Sequence, residues 1–332
     1  MSTHHAIEPM RFHRQFLEKP WGGRRLERVP GFQLPAGSIG ETWELVDREL
    51  ENSVVATGPF RGCTLRELLE DYGPELLGRA RRSPQGEFPV LVKFLDARED
   101  LSVQVHPRED QVGALPPGDG PKTECWYILD ALPGSVVYLG LKPGVDAQTF
   151  ARAASGPGVV ELLEQRVVRA GDFVFVPGGT VHAIGAGVAL AEVQQTSDTT
   201  YRLYDWGRVD AQGRPRPVHV EQGLRAIDFD LAPNGPARPK LATTARGARS
   251  ASLVDVPAFA VELVELDARA ELALPVLDRA RIVVVLAGAG ALRASEAQHL
   301  TPGDTWLVPA SLGTLTLEAE EPLKLLVVRT QE

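Results

Sequence analysis

Apolar and polar positions alternate along most of this chain in short runs broken by glycine and proline, the pattern of half-buried strands joined by turns. In Leu101-Ser-Val-Gln-Val-His-Pro107 the alternation puts Leu101, Val103 and Val105 on one face and Ser102, Gln104 and His106 on the other. Residues 88–95 read as a strand, and Pro121-Lys-Thr-Glu-Cys-Trp-Tyr-Ile-Leu129 as another with Lys122 and Glu124 on one face. Residues 1 to about 60 read as irregular strands carrying Trp21-Gly-Gly23 and Gly40-Glu-Thr-Trp-Glu44. Helical spacing is rarer. Leu65, Leu68 and Leu69 recur behind Thr64 as an N-cap, an Asp146-initiated stretch interrupts the strands, and residues 217–230 read as a helix.

The sharpest spacing lies in Gly171-Asp-Phe-Val-Phe-Val-Pro-Gly-Gly-Thr-Val-His182. A turn at Gly171-Asp172, a buried strand over 173–176 and a second turn at Pro177-Gly178-Gly179 deliver His182 into a barrel. This segment resembles the second motif of the cupin family, without the asparagine that often closes it; Ala186 stands there. A weak echo follows: Gly303 and Pro309 repeat the separation of Gly171 and Pro177, with Thr314 where His182 would fall. The expected architecture is mostly β, a cupin (double-stranded β-helix, jelly-roll) fold in two barrel copies with a few short helices. A proline- and glycine-rich stretch at 231–239 divides residues 1–235, catalytic, from residues 236–332, a degenerate copy without metal.

Composition agrees: 332 residues suffice for two cores, and 26 prolines with 32 glycines imply many turns. The net charge of −9, with no basic cluster, argues against nucleic acid as a partner. Cys63 and Cys125 are too far apart in sequence for a metal-type pair and suit a reducing compartment. No signal-peptide core and no membrane-length apolar run occur, so a cytoplasmic location is expected.

Gln104, His106, Glu124 and His182 together offer one divalent cation two imidazoles, a carboxylate and an amide oxygen. That nitrogen and oxygen set suits zinc, with manganese, cobalt or iron(II) as alternatives. Ser102 and Lys122 share strand parity with these ligands and would line the same cavity. Trp43, Trp126 and Trp206 could stack on a ligand ring, with core packing as the default. His4, His5, His13, His219 and His299 lie outside the motifs and read as structural or exposed.

These motifs, with Gln194-Gln-Thr-Ser-Asp-Thr-Thr-Tyr-Arg-Leu-Tyr-Asp-Trp206, Trp21-Gly-Gly23 and Lys93-Phe-Leu-Asp96, resemble type I mannose-6-phosphate isomerase in its short bacterial form. The resemblance implies a zinc-dependent interconversion of mannose 6-phosphate and fructose 6-phosphate, with Arg202 matching the essential arginine. Thr123 stands where the long enzymes have proline, and their helical insert is absent. Moving a carbonyl between C1 and C2 passes through an enediol and needs an electrophile for the developing oxyanion. Arg202 suits that charge or the phosphate, and Lys122 is kept as base or substrate ligand. The expected partner is a small phosphosugar, the chain being a monomer or homodimer. A cupin dioxygenase and a non-catalytic sugar-phosphate sensor are the rival readings.

Overall fold

Alternation becomes four antiparallel sheets in the computed structural model, which describes residues 7–332 except Ser155 and Ala211. His4 and His5 lie outside the described residues. A six-stranded sheet runs in the spatial order Gln15–Gly23, Ile39–Leu45, Val90–Ala97, Val188–Gln195, Glu124–Ala131, Phe173–Val176. Opposite it stands a five-stranded sheet: Tyr201–Tyr204, Val103–Val105, His182–Ile184, Val136–Leu141, Leu163–Val167. Leu95, Trp126, Ile128, Val176 and Leu190 of the first sheet pack with Val137, Leu139 and Ile184 of the second. This cupin-type sandwich is the frame of the site.

Strand parity decides what points inward. Trp126 and Ile128 are interior, so Glu124, two residues earlier, is interior too, while Cys125 and Tyr127 face outward. By the same rule Leu95 and Leu190 bring Lys93 and Glu192 to the inner face, and Val92, Phe94, Ala191 and Val193 go to the outer one. That outer face is not solvated. It packs on Phe259, Val261, Ile282, Val284, Leu326 and Val328 of a seven-stranded sheet in the second half of the chain. A four-stranded sheet closes the far side around Val283, Val285, Trp306, Leu315 and Leu317. The seven-stranded sheet also takes in Met10–Arg11, in register with Leu307 and Trp306.

Helices are short, as expected. Leu65–Asp71 starts with a capping box in which Thr64 and Glu67 satisfy each other's backbone N–H, and it buries Leu65, Leu68 and Leu69. The helix expected at 217–230 covers only Val220–Ala226, because Pro215 and Pro217 keep the preceding chain extended. With Ala147–Ala153 and the 3₁₀ turn Pro157–Leu162 it covers the outer face of the five-stranded sheet, over Val103, Val105 and Leu203. The 231–239 stretch is not a free linker. Ala237 exchanges two backbone hydrogen bonds with Phe173, at 2.9 Å each, and Arg238 donates to the Ala170 carbonyl. Among the described residues no helix is long and apolar enough to cross a membrane.

Candidate metal centre and its cleft

The Val103–Val105 strand is shorter than its alternating pattern, so His106 stands just beyond its end. Outward burial of Val103 and Val105 turns Gln104 inward, where it lies directly opposite His182, first residue of the His182–Ile184 strand. Gly171, in the left-handed region at φ 88°, makes the turn that precedes the Phe173–Val176 strand. Lys122 precedes its expected strand, which starts at Glu124, yet its Nζ lies 3.0 Å from Glu124 Oε2.

His106, Glu124 and His182 are buried and bring their ligand atoms within 4.8 Å of one another. His106 Nδ1 sits 2.8 Å from the Thr199 carbonyl and His182 Nδ1 2.9 Å from the Thr180 carbonyl. A carbonyl only accepts, so both rings carry their proton on Nδ1 and turn a bare Nε2 inward. Each Nε2 meets a Glu124 carboxylate oxygen at 3.3 Å; Lys122 Nζ stands 3.0 Å from Glu124 Oε2 and 3.2 Å from His106 Nε2, while the buried Glu124 Oε1, facing His182 Nε2, has no hydrogen-bond partner. Lone pairs facing lone pairs at His182 Nε2 and Glu124 Oε1 in a buried site call for a cation there in addition to the Lys122 ammonium. The Gln104 amide lies 3.2 Å from His182 Nε2 and supplies a fourth donor when its carbonyl oxygen is turned to the centre. The residues present therefore fit a divalent metal.

Charge follows the same logic. Burial, joined by the Lys122 ammonium, lowers the His106 imidazole to about 3. Burial pushes the Glu124 carboxyl up, but the Lys122 ammonium outweighs it and holds it well below the usual range. The centre is thus a neutral imidazole and an ionised carboxylate, the state in which a metal is bound.

Above it opens a cavity of about 400 Å³, lined among others by Ser102, Gln104, Lys122 and Arg202, all named from the sequence. Arg202 stands opposite Gln104 in register. Its NH1 donates to the Pro217 carbonyl at 3.0 Å, its buried Nε has no partner, and no carboxylate pairs with it among the described residues. Asp198 pairs with Arg48, which lies over the Trp43 ring. Trp126 is core, donating from Nε1 to Glu192 at 3.0 Å. Trp43 lines the cavity, and Trp206 donates to the Leu101 carbonyl.

Sequence reasoning missed several cavity residues. Lys93 Nζ lies 3.0 Å from Glu192 Oε1 and 3.9 Å from Glu41 Oε2, and Lys19 lies 3.3 Å from Glu41 Oε1. Burial, followed by the Glu124 charge, raises the Glu192 carboxyl. Burial opposes the charge on Lys93, yet Glu192 and Glu41 raise it. His219, expected to be structural or exposed, lines the cavity too. Strand parity with Leu95 and Leu190 was the available signal for Lys93 and Glu192. In the second half, Thr314 is exposed.

A cupin-type sandwich with a buried His-Glu-His cluster able to hold a metal, beneath a cleft lined by charged side chains of both signs, defines the class of protein. The sequence model described as "Phosphomannose isomerase type I, catalytic domain" matches residues 10–128. Mannose-6-phosphate isomerase of Streptococcus mutans is 37% identical over 310 residues, covering 92% of this chain and 93% of that protein. Mannose-6-phosphate isomerase ManA of Bacillus subtilis is 35% identical over 320 residues, covering 94% and 96%. The crystal structure of a Bacillus subtilis mannose 6-phosphate isomerase aligns with a TM-score of 0.86 at 31% identity, over 97% of this chain and 99% of that one. The chain belongs to the type I phosphomannose isomerase family.

Proposed function

We propose that this chain interconverts mannose 6-phosphate and fructose 6-phosphate through an enediol, with one metal held by Gln104, His106, Glu124 and His182. The observation that carries the reading is the buried Glu124 carboxylate between two unprotonated imidazole nitrogens, its Oε1 without a hydrogen-bond partner, next to Lys122 and to an Arg202 guanidinium that no carboxylate pairs with among the described residues. Zinc is the metal we assign; bound there, it would polarise the sugar's carbonyl and hydroxyl oxygens as a Lewis acid.

Arg202, one strand from Gln104, is assigned to the charge that develops at the reacting carbons. Lys122 and Ser102 are assigned to substrate oxygens at the cavity floor. The proton between C1 and C2 is assigned to Glu192, which lines the cavity with its carboxyl raised by burial and has Lys93 Nζ beside it at 3.0 Å. We further assign residues 1–235 to catalysis and 236–332 to a degenerate, metal-free copy that supports the first, in a cytoplasmic monomer or homodimer.

The test is isomerisation of mannose 6-phosphate by the purified protein before and after chelation, with zinc added back. Activity that vanishes and returns carries the reading. A fully metallated protein that binds the sugar phosphate without turnover would instead be a sensor, and oxygen consumption would mark a dioxygenase.

A further inference from the structure

Arg202 sends neither of its main-chain groups toward Gln104. Its N–H donates to His219 Nδ1 at 3.1 Å, and its carbonyl accepts from the His219 N–H at 2.6 Å. Gln104 and Arg202 are therefore a pair without mutual backbone bonds, the kind whose side chains approach closely. His219 lies one strand spacing further out, roughly 10 Å from Gln104.

Because Nδ1 accepts the Arg202 N–H, the neutral ring carries its proton on Nε2. Burial, followed by the Arg202 charge, lowers this imidazole from its ordinary value, which keeps the ring neutral. Nε2 makes no hydrogen bond among the described residues, and the ring lines the cavity. Arg216 lines the same cavity. Its Nε and NH2 are held by Asp205 at 2.6 and 2.5 Å, which orients the guanidinium. A hexose 6-phosphate whose C1 and C2 lie at the metal ligands points its phosphoryl group away from them.

We propose that His219 is a specificity-determining residue, presenting Nε2–H together with Arg216 to the substrate's phosphoryl group at the end of the cleft remote from the metal ligands. The assignment rests on the isomerase reading for which end of the substrate lies where. A neutral donor suits this position: it adds a directed hydrogen bond to a charged acceptor without adding repulsion beside Arg202 and Arg216.

The experiment compares the metallated wild type with His219→Phe and His219→Gln in two readouts: the Kd for inorganic phosphate by calorimetry, and kcat and KM for mannose 6-phosphate. His219→Phe should weaken phosphate binding and raise KM by about tenfold or more, the worth of one hydrogen bond to a charged group, with a smaller change in kcat. His219→Gln, which restores an N–H near the Nε2 position, should recover most of the phosphate affinity. If His219→Phe does not fold by circular dichroism, His219→Asn carries the same expectation, since it keeps an acceptor for the Arg202 N–H but no donor at Nε2. An unchanged phosphate Kd overturns the proposal. So does a fall confined to kcat, which would mark His219 as acting only through Arg202. Absence of turnover in the wild type sinks the isomerase reading, while the phosphate comparison still decides for or against His219.

Discussion

His106 and His182 present bare nitrogens to the same carboxylate, so removing either should cost the site its metal as well as its activity. His182→Ala is expected to lose both, read by elemental analysis and the isomerase assay, whereas Arg202→Ala should keep the metal and lose turnover. Glu192→Gln should also keep the metal but lower kcat by about 10²- to 10⁴-fold, the usual contribution of a positioned acid–base group. The His106 imidazole is held at about 3 by burial and by Lys122, against about 6.5 in the unfolded chain. As pH falls from 6.5 toward 3 the unfolded chain takes up a proton that the folded apoprotein refuses, so stability present above 6.5 is lost across that window. Denaturant midpoints of the apoprotein should therefore drop between pH 7.5 and 5, and His106→Asn should narrow the difference. The residues that gather at the candidate metal centre, His106, Glu124 and His182, were legible because motif spacing and alternation both marked them. Lys93, Glu192 and Glu41 were not, since their strands are buried on both faces and their few charges, Glu44 beside Glu41 and Asp96 beside Lys93, form no alternating polar side that flags the cleft.

At the level of elements, local signals read well and lengths read poorly. The capping box at Thr64 and the Gly171 turn carry their chemistry in a few adjacent residues. The strand before His106 and the helix before the 231–239 stretch were overextended, because tertiary pairing decided where they end. His219 was missed for the same reason: its place at the cleft comes from hydrogen bonds to Arg202, seventeen residues earlier. Gly22 shows how tight such pairing is. A Cβ there would lie 2.4 Å from the Ser38 carbonyl oxygen and 2.6 Å from the Gly40 nitrogen, both backbone atoms that cannot swing aside. Gly22→Ala should push the Ile39–Leu45 strand away and with it Glu41 and Trp43. The expected result is a lower melting temperature together with a raised KM, measured on the same preparation.

For the whole molecule, the largest apolar cluster is shared by the six- and seven-stranded sheets rather than enclosed by either sandwich. The sequence echo at Gly303 pointed to a second β unit, but alternation alone could not say that outward faces of the two would meet. Phe94, 1% exposed and edge-on to Phe32 at 4.7 Å, sits in that seam. Phe94→Ala should lower stability by about 3–5 kcal/mol, and a shared core predicts one cooperative unfolding transition by calorimetry rather than two. The pairing of Met10–Arg11 with the Thr305–Val308 strand carries this interdependence into the time domain. The partner segment is made about 300 residues after the strand it receives, roughly 15–60 s later at ordinary elongation rates. Throughout that interval the nascent chain must hold an unpaired β-segment and an uncovered apolar sheet face beside the ribosome, so the vulnerable stage in this protein's life is its synthesis, and chaperone demand should peak just before the last strands emerge.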